Sequence, residues 1–301
     1  MRWTAVVNPT AGHGRTRKLL PRLTEGFKRH GIGVEVPSSA AGSTEAARVA
    51  FARGDGVLAC GGDGTVSQLA SLASEVDGVL GVVPTGAGND FARHVGIDHR
   101  RPLDAMSLVE HGRVGTTDLG SARTVDGREA RFTTVANTGF DSEANRWANN
   151  VGRVTGTALY VLAVLRTLAV YRPQPMRVCV DGDEWNGDAW LVAVGNSRYY
   201  AGGMMITPGA EVDDGVLDVC VIGPAPRAEF LVRFPGVFRG RHVTMRHVAM
   251  LRGKSVEIDA SRSALGLELW ASGDRVGLLP AQLEPLPGAL QVLVPHESPV
   301  R

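Results

Sequence analysis

The octapeptide Ala59-Cys60-Gly61-Gly62-Asp63-Gly64-Thr65-Val66 sets one carboxylate and one hydroxyl among small residues. It stands where a buried apolar run over 56–60 gives way to a helical pattern over 66–73. Glycines at a strand-to-helix turn let backbone N–H groups come close to a ligand, and a helix N-terminus adds partial positive charge. Such a turn suits polyphosphate. A carboxylate inside it would repel the anion unless a metal ion or a proton transfer is involved. Asp63 therefore reads as chemistry and Gly61, Gly62 and Gly64 as the cradle, with a tight turn lacking any ligand as the plainer alternative.

The elements that must position this turn alternate. Apolar strands at Trp3–Val7, 33–37, 56–60 and Val79–Pro84 are separated by helical patterns over 16–30, 44–53, 66–73 and 89–94. This predicts a doubly wound α/β domain over residues 1–122, with a parallel sheet and ligand sites at strand C-terminal ends. Three Gly-rich turns follow three of those strands: Asn8-Pro9-Thr10-Ala11-Gly12-His13-Gly14, Gly61 to Thr65, and Thr85-Gly86-Ala87-Gly88-Asn89-Asp90. In such a sheet they converge on one edge. Over 123–287 the texture changes. Asp126-Gly127, Asp181-Gly182 and Asp214-Gly215 read as hairpin-type turns, beside strand patterns at 216–222, 255–258 and 265–270. We expect an antiparallel β-sandwich domain interrupted by a long helix near 157–171. A last strand near 288–295 is a candidate to return to the first domain, and the tail after Pro295 is expected to fray.

At 301 residues, two domains are the default. Hydrophobic residues at 44% and charged residues at 21% describe a soluble globular chain. A net charge of +1 gives no overall pull toward nucleic acid. Cys60, Cys179 and Cys220 lie far apart in apolar runs, which reads as buried reduced thiols in a cytoplasmic protein. The strand pattern begins at once, leaving no room for a signal peptide. The longest apolar run, 158–170, is broken by Arg166 and Thr167 and is short for a membrane span. Two familiar motifs fail. Phe91 stands where a dinucleotide fingerprint needs its third glycine, and Gly253-Lys254-Ser255 lacks the first glycine of a Walker loop and precedes a strand pattern.

Taken in order, the Gly-rich segments resemble the diacylglycerol-kinase catalytic-domain family, which includes bacterial diacylglycerol kinases and sphingosine kinases. The matching residues are Asn8 to Gly12, Gly61 to Thr65, Pro84 to Arg93, Asn137-Thr138-Gly139-Phe140-Asp141, Gly195-Asn196-Ser197 with Gly202-Gly203, and Pro208 to Asp218. The resemblance implies ATP held by the Gly61 to Thr65 loop, with Mg²⁺ and a lipid hydroxyl as acceptor. Carried over, Asn8, Pro9, Thr10, Gly12, Gly62, Asp63, Gly64 and Thr65 would meet phosphates. Gly86, Ala87, Asn89 and Asp90 would line or brace the same site, and Ser39 (or Ser38) would sit near the nucleotide. The acidic loop resembles a structural metal site, with the carboxylate of Asp214 and the carbonyls of Glu211 and Val216.

Two positions depart from the family pattern. Ala87 replaces a threonine, and Ser272-Gly273-Asp274 stands where the family carries Asp-Gly-Glu, so the expected base is missing at Ser272. Asp63 and Asp274 are the candidate substitutes. A catalytically impaired lipid- or nucleotide-binding member therefore stays open beside the lipid kinase, as does a small-molecule kinase of the NAD-kinase or phosphofructokinase type. The helix over 158–171 is apolar nearly all round, fitting burial against the β domain or the wall of an acyl-chain pocket. Phe230, Leu231, Phe234 and Phe238 sit among Arg233, Arg239, Arg241, Arg246, Arg252 and Lys254. That mixture suits either a transient contact with an anionic membrane or a solvated basic face. Nucleic acid is not an expected partner, and a homodimer is left open.

Overall fold

The computed structural model describes residues 1–140, 167 and 171–300. Of the expected helix near 157–171 only Thr167 and Tyr171 fall among them, and Asp141 also lies outside the described residues.

The first half alternates as its periodicity predicts: β1 (Trp3–Val7), α1 (Arg15–Arg29), β2 (Gly33–Glu35), α2 (Ala40–Ala52), β3 (Gly56–Gly61), α3 (Asp63–Glu75), β4 (Val79–Pro84) and α4 (Asp90–His94). β1, β3 and β4 are buried at every position, as strands covered on both faces must be. They pair in parallel, in the order β2-β1-β3-β4. α2 starts four residues earlier than its apolar pattern suggests, because the Ser39 hydroxyl accepts from the Gly42 amide and caps it. α3 likewise starts at Asp63, so part of the glycine loop is itself the first helical turn.

α5 (Leu108–His111) leads into β5 (Arg113–Thr124), β6 (Glu129–Phe132), β7 (Val135–Gly139), β8 (Gln174–Val180), β9 (Asp183–Ala189), β10 (Leu191–Gly195) and β11 (Leu217–Ile222). Then follow α6 (Arg227–Arg233), β12 (Val248–Gly253), β13 (Val256–Asp259), β14 (Glu268–Ala271), β15 (Asp274–Leu278) and β16 (Ala281–Val294). A six-stranded antiparallel sheet runs β12-β11-β10-β7-β14-β15. It packs against the far part of the ten-stranded sheet through Phe132, Val178, Val192, Val219, Ile258, Leu269 and Leu283. The sandwich is thus built from both sheets.

β16 joins the two cores. Gln291 and Val292 pair in parallel with β4, whereas Leu283 pairs antiparallel with Val256 of β13. Its partner along both stretches is β5, with a break in register between Leu286 and Leu290.

Three expectations are corrected. Asp214-Gly215 does not close a hairpin; it leads into β11, which reaches β10 only after the connection over 196–216. The tail does not fray. Ser298 Oγ donates to the Val95 carbonyl at 2.7 Å, the Arg113 guanidinium meets the Val300 carbonyl, and Val300 is buried. Cys60 and Cys220 are buried and burial pushes both thiols up to about 12, but Cys179 is only half-buried. It alternates out of the core on β8, where the intervening Val178 and Val180 point in. Among the described residues, no helix is long and apolar enough to cross a membrane.

Because β16 is common to both cores, Leu283→Ala should cost about 2–5 kcal/mol and lower the melting of the whole chain. Urea unfolding followed by fluorescence of Trp3 in the first core and Trp270 beside the second should shift together. A Trp3 transition indifferent to Leu283→Ala would show that the first core stands by itself.

Candidate functional site

The three glycine turns meet. Loop one bonds to loop two where Asn8 Nδ2 donates to Thr65 Oγ1 at 2.9 Å, while Asn8 Oδ1 accepts from the amide and hydroxyl of Thr10. It meets loop three where a methyl added to Gly12 (φ +60°) would lie 2.5 Å from the Thr85 carbonyl oxygen. Behind that contact the buried Thr16 hydroxyl donates to Thr85 Oγ1 at 2.7 Å. Loops two and three are closest of all. The Gly61 carbonyl accepts from the amides of Thr85 (3.0 Å) and Gly86 (3.1 Å), and a side chain on Gly86 would overlap the Cα of Gly62. Two backbones can approach so closely only without Cβ atoms. Asn89 clips the turn, accepting from the Gly86 amide and donating to its carbonyl. Ala87 stands exposed at the loop tip.

α1 and α3 both begin at this junction, on Gly14 and Gly62, with no side-chain cap. Their first N–H groups have no intrahelical acceptor, which is the arrangement an anionic group can satisfy. Asp63, the acidic residue of the first turn of α3, looks elsewhere. Its Oδ1 accepts from the amides of Asp90 (2.6 Å) and Phe91 (3.2 Å), so it caps α4. Its Oδ2 lies against Gly88, where an added methyl would sit 2.7 Å from it and 3.3 Å from Asp90 Oδ2. Burial raises the Asp63 carboxyl, against the pull of these amides. Asp90 is pushed up to about 7, by burial first and then by the charge of Asp63, against the Gly202 amide and Arg93. Its Oδ1 has no hydrogen bond, and Arg93 Nε stands 3.9 Å away.

The second half reaches this site through two segments. In the segment after β10, the Gly202 amide donates to Asp90 Oδ2 at 2.8 Å and the Arg198 amide to His94 Nδ1 at 3.2 Å. The Arg93 guanidinium lies 5.6 Å from the centre of the Tyr199 ring. Burial, then the charge of Arg198, lowers His94 to about 4 and leaves a neutral acceptor. The other segment is the hairpin between β14 and β15. Ser272 (φ +48°) and Gly273 (φ +91°) form its two-residue turn, and Asp274 pairs with Ala271 at the start of β15. The Ser272 amide donates to the Val135 carbonyl and its hydroxyl lies 3.3 Å from Thr134 Oγ1. Asp274 Oδ2 would be 3.8 Å from a methyl on Gly64. By area Asp274 is exposed, yet the walls of the cleft displace enough water to raise its carboxyl.

The structure therefore brings together Asn8, Pro9, Thr10, Gly12, Gly61 to Thr65, Gly86, Asn89, Asp90 and Asp274, with Ala87 at their rim. Ser39 stays at the head of α2, whose Ala40 carbonyl accepts from Gln68 on α3. Glu211, Asp214 and Val216 form a separate cluster. There Asp214 meets the Arg252 guanidinium and accepts from the Val216 amide at 3.2 Å, while Glu211 pairs with Arg198. Asp118, which the sequence reading missed, organises it by accepting from the amides of Gly215 and Gly288, each at 2.7 Å. Its signal was a carboxylate inside a strand pattern. No group of three or more His, Cys, Asp or Glu side chains among the described residues is arranged to hold a metal ion.

Beside this site, on the outer face of the six-stranded sheet, lies an apolar cleft. Phe140, Leu191, Met204, Phe230, Phe234 and Val237 line it. Tyr200 lines it too, and its hydroxyl accepts from Asn137, which pairs with Trp270 two residues before Ser272.

Comparison with known proteins fits this geometry. Residues 2–122 match the diacylglycerol kinase catalytic domain, and residues 134–294 match the YegS C-terminal NAD kinase beta sandwich-like domain. A Mycobacterium tuberculosis protein named diacylglycerol kinase is 38% identical, over 98% of this chain and 96% of its own. A Bacillus subtilis protein of the same name is 27% identical, over 97% and 96%. The fold matches a crystal structure of a diacylglycerol kinase from Bacillus anthracis with a TM-score of 0.72 at 20% identity, covering 98% and 97% of the two chains. With both family models matched in order and a 38%-identical relative along nearly its full length, the chain belongs to the diacylglycerol kinase family of lipid kinases.

Proposed function

We propose that the protein is an ATP-dependent lipid kinase that phosphorylates a lipid hydroxyl such as that of diacylglycerol. One observation carries the reading: three glycine turns meet under two uncapped helix N-termini, facing the carboxylate of Asp274. The names of the relatives support the acceptor class. In this reading residues 1–122 hold the nucleotide and residues 123–287 the acceptor, whose chains occupy the apolar cleft. The work is done at the cytoplasmic side of a membrane.

The uncapped helix N-termini at the cradle supply the donors a triphosphate needs. The amides at the start of α3 and the turn from Asn8 to Gly12 would hold its oxygens, with Gly86 and Ala87 above and Ser39 near the nucleoside. Mg²⁺, when bound, would neutralise charge on the phosphates, and Asp63 Oδ2 and Asp90, paired at Gly88, would hold it. For the acidic loop we keep Asp214, with the carbonyls of Glu211 and Val216, as the place of a structural cation. Arg252 already neutralises Asp214, so a cation there would displace the guanidinium.

Asp63 spends one oxygen on α4 and Asp90 spends one on Gly202, whereas Asp274 accepts no hydrogen bond from the described residues. We assign it the proton. The lipid oxygen forms the new P–O bond, the bond from the γ-phosphorus to the bridging oxygen breaks to release ADP, and the hydroxyl proton passes to Asp274. Phosphoryl transfer asks mainly for alignment and charge neutralisation.

With labelled ATP, Mg²⁺ and diacylglycerol, the protein should yield a labelled phospholipid. Asp274→Asn should lower kcat by about 10²–10⁴ with KM for ATP changed only a few-fold, and Ser272→Asp should raise it. Undiminished kcat in Asp274→Asn would remove that residue from the chemistry. Calorimetric ATP binding with no transfer to any lipid would favour the impaired nucleotide-binding member, which the serine at 272 suggests.

Asp90 also sets a pH dependence. Its carboxyl is raised in the folded state, so between its unfolded value near 4 and about 7 the native protein holds the proton more tightly. Stability should therefore fall as pH rises through that window and level off above it, by on the order of 2–4 kcal/mol. Urea titrations at pH 5 and pH 8 should show this component in the wild type and not in Asp90→Asn. An equal pH difference in both proteins would contradict it.

A further inference from the structure

α6 and the turn after it carry apolar residues on two faces, one lining the apolar cleft and the other exposed. Phe230 and Phe234, four residues apart, point into the apolar cleft, with ring centres 6.1 Å apart. Ala228, Leu231, Val232 and Pro235 follow the i, i+3, i+4, i+7 spacing of one helical face and are all exposed. Leu231 is 45% and Val232 78% exposed, and Phe238 in the following turn, Phe234–Arg239, is 47% exposed. A soluble surface helix normally shows polar residues there. In the same stretch, residues 224–247 supply five arginines (227, 233, 239, 241 and 246) against one acid, Glu229, although the whole chain is nearly neutral at +1. All five are exposed.

We infer that the stretch from Arg227 to Arg246 is a membrane-docking element whose occupant is an anionic bilayer surface. The inference rests on the lipid-kinase reading for its purpose and on the patch for its geometry. Exposed apolar side chains in a stretch rich in exposed arginine match the interface between acyl chains and anionic headgroups, where apolar burial and charge attraction act together. A nucleic acid or an acidic protein would use the arginines but leave Leu231 and Val232 without a function. Continuity with the cleft supports the choice. The helix that rests its outer face in the bilayer lines the cleft with its inner face, so a lipid enters along α6 without crossing water.

The test is sedimentation of the full chain with vesicles of phosphatidylcholine, with and without 30 mol% phosphatidylglycerol. The wild type should partition at least about tenfold more strongly onto the anionic vesicles, and the preference should fade with added salt. Leu231→Ser/Val232→Asp and, separately, Arg239→Glu/Arg241→Glu should each lower that partition about tenfold with unchanged circular dichroism. Neither pair lines the cleft, so turnover of monomeric dioctanoylglycerol should stay within about twofold, while turnover of dioleoylglycerol in vesicles falls with partition. Equal sedimentation of wild type and both variants, or no preference for anionic vesicles, overturns the inference. If neither lipid is phosphorylated, the kinase reading fails, and the sedimentation result still decides the docking element.

Discussion

The carboxylate of Asp63 is the bond on which the site depends. α4 has only five residues, far below the length at which a helix holds itself together in water. What fixes it is a buried, charge-assisted pair of hydrogen bonds from its first amides to Asp63 Oδ1. Everything at the turn of loop three follows from that anchor. Asn89, just before the helix, clips Gly86, and Gly86 can then lie against Gly62 with no atoms between the backbones. Asp63 therefore builds the cradle whether or not it touches a ligand. The same bonds explain why a carboxylate is tolerated at the meeting point of the glycine turns, since much of its charge is spent on amides.

α4 is also where the two halves of the chain are set against each other. Asp90, Arg93 and His94 each meet the segment from Arg198 to Gly203 by a different interaction: an amide on a carboxylate, a cation on a ring, and an amide on a neutral imidazole. The last works only because burial keeps His94 uncharged near neutral pH, leaving Nδ1 a lone pair to accept with. β16 makes the second connection, through the backbone itself. Between these two ties the β14–β15 hairpin is carried to Gly64. The glycine turns of one half and the apolar cleft of the other thus share one short wall.

The parallel strands were legible because their residues are apolar on both faces, and the glycine turns because their conformations and close contacts exclude a side chain. Gly12 and Gly86 were readable for that reason. What sequence spacing could not convey was who bonds to whom across the chain. Asp63 reads as a chemical group from its neighbours, yet its partners are amides more than twenty-five residues away. Asp118 has the same character: nothing local marks it as the acceptor of amides from Gly215 and Gly288. The tail was misjudged because its polar composition hides one well-placed hydroxyl, Ser298, and one buried side chain, Val300. The outward-facing apolar stripe on α6 was visible only as composition until burial showed which face was free.

The exchange at residue 272 gains meaning from the turn that holds it. In this two-residue hairpin both central residues take positive φ, as Ser272 and Gly273 show, a conformation that asparagine, aspartate and glycine accept more readily than serine. Ser272 occupies that position with its amide on Val135 and its hydroxyl beside Thr134, so its side chain is engaged in the sandwich. Asp274 lies two residues on, where the ladder to Ala271 has begun, and is held by strand pairing. Its carboxyl is raised by desolvation, which moves a candidate base toward neutral pH, where proton transfer is most effective. Because a loose phosphoryl-transfer transition state needs the proton removed late and without force, a carboxylate displaced from the turn to the strand would serve in the proposed reaction, provided the hydroxyl arrives along the wall that Tyr200 and Asn137 form.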